Sequence, residues 1–131
     1  MNKMMIGLVS ATVLAFTLQG YDKQDRRMDM QVMESSMAQI QKGILYNNKK
    51  IVYQGILNLK ESASNIEIIA KTQMDYGSKY AKKQAKEIIK LADAIERKMK
   101  NGQKHSAATS YTSVLNKCIS CHNKLRKWNN K

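Results

Sequence analysis

Apolar side chains recur at alternating steps of three and four residues in four separate stretches, and not one proline interrupts the 131 residues. Such a step keeps every apolar residue on one side of an α-helix. The first stretch carries Met30, Met33, Met37, Ile40 and Ile44, with Gln31, Glu34, Ser35 and Gln41 around them. The second carries Val52, Ile56, Leu59 and Ala63. The third is the most regular, with Ala81, Ala85, Ile88, Ala92, Ile95 and Met99 on its seam. The fourth has Ala108, Tyr111, Leu115, Cys118, His122 and Leu125. Seams this narrow are buried when near-parallel helices pack together, so the pattern predicts an all-α chain forming a four-helix bundle. Phe and Trp occur once each, which also disfavours strands.

The breaks between stretches agree with that division. In "YNNKK", Asn47 or Asn48 can cap the second helix, and in "KNGQK", Gly102 stands where a helix ends in a left-handed cap. The stretch "SNIEIIAKTQMDYGS" either prolongs the second helix or makes a separate turn before Gly77.

Residues 1–20, "MNKMMIGLVSATVLAFTLQG", begin with Lys3 and continue with an apolar run from Met4 to Leu18. That is short for a membrane span of about 20 apolar residues, and it predicts an export signal cleaved between Ala15 and Gly20. Residues 21–131 are then one domain in the periplasm. The chain carries +13, and without Lys3 the remaining 22 Lys and Arg against 10 Asp and Glu leave +12. Lysines are dispersed, as in "KYAKKQAKEIIK", without aromatic platforms among them. A solvated surface is expected, with acidic redox proteins as second-choice partners; nucleic acid is not expected, and membrane contact is at most peripheral.

The only cysteines, Cys118 and Cys121, stand in "CISCH". C-x-x-C-H has a specific chemical use: two thiols add to the two vinyl groups of haem, and the adjacent histidine coordinates iron. A spacing of three brings both sulfurs to one side of a helix and leaves His122 in reach of the metal. Rival readings use fewer of these residues. A Cys118–Cys121 disulfide would close too small a loop to stabilise much, and it leaves His122 without a purpose. A thioredoxin-like pair needs a βαβ setting, and structural zinc needs four ligands at other spacings. The expected cofactor is one covalent haem c, with the fold an antiparallel four-helix bundle holding it near the C-terminal helix.

With that motif in a last helix, the chain resembles the cytochrome c-prime family, exported four-helix bundles that include a methionine-ligated branch. Members typically continue C-x-x-C-H-x-x-aromatic-Arg; here Cys118, Cys121, His122 and Arg126 match, and Leu125 takes the aromatic position. The Gly-Pro-rich loop frequent in the family between helices two and three is missing. The resemblance implies that the first helix supplies the residue on the far side of the iron. Family members often place an arginine four residues before it, which Arg26 and Met30 reproduce. The resemblance thus implies Met30 and His122 as metal ligands and Arg26 beside a propionate. It also implies relatives that pair as dimers through their first two helices.

Methionines at helical spacing are usually core filler, and Met33 and Met37 are read so, while Met28 falls off the seam. His105 is expected to face solvent, and Tyr111 to pack with its hydroxyl at a wet edge. No paired carboxylates, Ser/His/Asp set or phosphate-binding loop is present, so catalysis is not expected. The leading expectation is a single-electron carrier with six-coordinate iron. Two alternatives stand beside it: a five-coordinate binder of nitric oxide or carbon monoxide, and a haem-free interaction module.

Overall fold

The protein was analysed as a computed structural model, which describes residues 23–73 and 78–125, with side chains described for all of these except 68–73 and 78. The expected signal segment 1–20 and Arg126 lie outside the described residues. Four helices account for nearly all of the described chain: α1 (Lys23–Leu45), α2 (Lys49–Gln73), α3 (Ser78–Lys100) and α4 (Lys104–Leu125). There is no strand among the described residues. The chain is all-α, consistent with a four-helix bundle, and no helix among the described residues is long and apolar enough to cross a membrane.

The helix ends follow from local chemistry. Asn47 adopts a left-handed φ of 55°, and the Asn48 N–H donates to the Gly43 carbonyl at 2.8 Å, closing a Schellman motif on α1. Asn48 then caps α2, its Oδ1 accepting from the Ile51 N–H at 3.2 Å. The two adjacent asparagines therefore divide the work, one ending a helix and the other starting the next. Gly102, at φ 73°, ends α3 in the same way, with the Gln103 N–H donating to the Lys98 carbonyl at 2.8 Å. Between α2 and α3 the chain takes the longer-helix alternative, continuing α2 to Gln73.

Three of the four seams are buried where periodicity put them. Met33, Met37, Ile40 and Ile44 of α1, Val52, Ile56, Leu59 and Ala63 of α2, and all six residues of the α3 seam belong to one core. The fourth is displaced: α4 buries Ala107, Ser110 and Val114, whereas Leu115, His122 and Leu125 are exposed. The reason is visible in residue type. Ala107 and Ser110 are too small or too polar to mark a seam, so the larger apolar residues one position along attract the periodic reading.

Consecutive helices pack closely, while α1 and α4 touch far less. Between α1 and α2, Asn65 Nδ2 donates to buried Asp29 Oδ1 at 3.0 Å. Lys60 and Asp93 pair across α2 and α3. Lys98 Nζ donates to Ser110 Oγ at 2.8 Å across α3 and α4. These partly exposed links fix register and add little stability, since exposed pairs contribute about 0–1 kcal/mol.

α1 and α2 approach closely at two glycines. A Cβ at Gly43 would stand 2.5 Å from Val52 Cγ2 and 2.8 Å from the Val52 backbone nitrogen. One at Gly55 would stand 2.9 Å from both Ile40 Cγ1 and the Ser36 carbonyl oxygen. Contacts with backbone atoms cannot be relieved by a rotamer change, so the helices must separate to admit a methyl group. Gly43→Ala is accordingly expected to destabilise the protein by about 1–3 kcal/mol, although the same change at an open helical site stabilises by up to about 1 kcal/mol. Urea titration distinguishes the two, and a raised midpoint for the alanine variant would contradict the close approach.

Candidate functional site

The C-x-x-C-H sequence occupies the last two turns of α4, which contains no glycine or proline and runs unbroken through Leu125. One helical turn separates Cys118 from Cys121, so both fall on the core side. Both thiols are free and half-buried, packed against the apolar core. His122, one residue further round the helix, is exposed.

Burial dominates the acid–base behaviour of the pair. It holds the Cys118 thiol above the ordinary value; the neighbouring Cys121 pushes it further, and a backbone hydrogen bond offsets part of the rise. Cys121 is raised by burial as well. Loss of solvation penalises the thiolate, so at neutral pH both sulfurs keep their protons. Tyr111 stands two turns before Cys118, and burial followed by the Cys118 charge raises its hydroxyl too. That hydroxyl donates to Gln41 Oε1 at 3.2 Å, a direct link from α4 to α1. Near it, Lys104 Nζ donates to Asn47 Oδ1 just past the end of α1.

The α1 candidates are placed as follows. Met30 is half-buried and packs against the core; Arg26, one turn earlier, is half-buried. Met33 and Met37 are core residues, and Met28 is 55% exposed. His105 is exposed at the start of α4. The structure thus joins both cysteines and Met30 to one apolar core, while His122 lies at the surface. Among the described residues no group of three or more His, Cys, Asp or Glu side chains is gathered in the manner of a structural zinc site.

Two polar residues at this end escaped the sequence reading. Asp29, next to Met30, is buried against Asn65. Gln84 of α3 is 7% exposed, and its Oε1 is buried without a hydrogen-bond partner. Each was legible only as a polar residue interrupting an otherwise apolar face.

No protein-family model, curated protein or solved structure matches this chain.

The raised thiols give a pH prediction for the haem-free protein. Alkylation by iodoacetamide should reach half its maximal rate above about pH 8.5, the ordinary thiol value, and faster modification at neutral pH would contradict their burial. Folded thiols that hold protons more tightly than unfolded ones contribute stability below the unfolded value. That contribution is lost as pH rises toward the folded values, so the urea midpoint should fall through the same range.

Proposed function

We propose that this chain is an exported monohaem c-type cytochrome resembling the cytochrome c-prime family, an antiparallel four-helix bundle that carries single electrons in the periplasm. The observation that carries this reading is the C-x-x-C-H sequence on α4 with both thiols free and turned to the core. Residues 1–20 serve in this reading as the export signal.

The residues present fit a haem. On α4, Tyr111, Leu115, Cys118, His122 and Leu125 follow one another at steps of four and three, which puts them on one face. Tyr111 reaches α1 from that face. Beyond Tyr111, however, Leu115 and Leu125 on that face stay 43% and 40% exposed. An apolar stripe left uncovered beside two thiols and an imidazole suits a flat, largely apolar group attached there.

Register supports Met30 as the opposite ligand. His122 lies eleven residues beyond Tyr111, and Met30 lies eleven before Gln41. At 1.5 Å per residue along antiparallel helices, both stand about 16 Å from the Tyr111–Gln41 hydrogen bond, hence at one level.

Each residue then has a defined part. Cys118 and Cys121 would hold the group covalently, each S–H adding across one vinyl group with sulfur on one carbon and the proton on the other. His122 would hold the metal through a ring nitrogen and Met30 through its thioether from α1. Arg26, one turn from Met30, is placed to pair its guanidinium with a carboxylate of the group. Haem iron, when bound there, supplies the one-electron couple. A thioether opposite an imidazole raises the reduction potential and keeps coordination constant between oxidation states, which suits electron transfer.

The reading is tested in two steps. A denaturing gel should show haem staining in the protein's own band, and an unstained band ends the proposal. The oxidised protein should then show the weak far-red absorbance of methionine-bound ferric iron. Met30→Ala should abolish that band and let the ferrous protein bind carbon monoxide; a parent protein that lacks the band and already binds carbon monoxide would instead be the five-coordinate gas binder.

A further inference from the structure

Lysines from α3 and α4 gather on one side of the cysteine pair. The Glu87 carboxylate accepts a hydrogen bond from Lys90 Nζ at 3.1 Å. Lys117 of α4 and Lys83 of α3 also act on it, and after the Lys90 bond and charge they help hold the carboxyl below its usual range. Lys124 of α4 lies over the Tyr80 ring of α3, 4.2 Å from its centre. Four ammonium groups from two helices thus share a face on which, among the described residues, Glu87 is the one carboxylate, already engaged. Lys117 and Lys124 stand one turn before and one turn after Cys121, so the charge borders the site.

Next to this positive edge the outer side of α4 is uncharged. Asn116, Ile119, Ser120 and Asn123 are exposed there, and the Ser120 hydroxyl is already committed to the Asn116 carbonyl at 2.8 Å. A neutral strip with a charged border matches interfaces in which charge steers the encounter and the contact itself loses few solvated charges.

We propose that this α3–α4 face is the docking surface for an acidic redox protein that exchanges electrons at the adjoining site. The proposal rests on the electron-carrier reading and adds the place where an acidic partner makes contact. A bilayer fits less well, because α3 exposes no large apolar side chain among the described residues, and on α4 the exposed Leu115 and Leu125 fall on the stripe assigned to the proposed site, which leaves Ile119 as a single apolar residue on the outer side. Nucleic acid fits less well because the Tyr80 ring, which could serve as a stacking platform, is covered by Lys124.

The test uses the protein as produced, with K83E/K117E/K124E compared against K42E/K49E/K50E, which changes net charge equally at the other end of the helices. Glutamine triples at the same positions serve if a charge reversal fails to fold. Poly-L-glutamate binding, measured by calorimetry at low salt, should weaken about tenfold in the α3–α4 variant and much less in the control. Oxidation of the ferrous protein by hexacyanoferrate(III) should slow in the same variant and lose that difference at high salt. Equal losses in both triples would overturn the proposal, since net charge alone would then explain them. So would tighter binding to phosphatidylglycerol vesicles than to polyglutamate, abolished by the α3–α4 triple, because the partner would then be a membrane. Polyglutamate binding needs no haem, so a protein without haem staining but with the localised loss would sink the cytochrome reading and leave the acidic-protein face standing.

Discussion

The close approach of α1 to α2 is the constraint on which the rest of the structure depends. With no Cβ at Gly43 or Gly55, the two backbones meet where a methyl group would collide with Val52 or the Ser36 carbonyl. That contact decides where α1 lies, and therefore which of its residues turn toward α4. Three consecutive helix pairs then pack closely, and the seam between the first and last helices remains thin. A chain that packs in order and leaves its final seam loose has room for a group entering from the side.

The proposed site lies along that seam. Its thiols are sheltered enough to stay protonated, yet half-exposed enough to be reached. The Tyr111–Gln41 hydrogen bond, two turns before Cys118, and the Lys104–Asn47 pair at the start of α4 tie α4 to the α1 side. Tethering at one end with an uncovered apolar stripe at the other suits attachment of a rigid ring. The lysine-rich α3–α4 face borders the same end, so recognition and chemistry in this reading share one region of the surface.

Much of the fold was legible in the sequence because helix formation and capping are local. The seams of α1, α2 and α3 emerged from a repeat of three and four, and Gly102 from its isolated position after a basic turn. Asn47 and Asn48 were legible as a break, but their separate roles needed backbone angles. The α4 seam misled because a helix with small buried residues shows its largest apolar residues elsewhere. Leu115 and Leu125 repeat as strongly as a core stripe does, and in the proposed holoprotein they are covered by a ligand instead of a helix. Asp29 and Gln84 gave no signal beyond polarity, since burial of a polar side chain depends on neighbours distant in the chain.

By itself the sequence determined the helical class, the breaks at Asn47–Asn48 and Gly102 and the presence of C-x-x-C-H, because hydrophobic period, capping residues and that motif are relations among residues a few positions apart. Tertiary structure alone decided that Cys118 and Cys121 join the core while His122 does not. It also decided that Asp29 is buried against Asn65, and that lysines of two helices surround Glu87. Those outcomes depend on how far each helix is rotated and how closely it approaches its neighbours. Such quantities arise from packing between segments many residues apart, which no local pattern encodes.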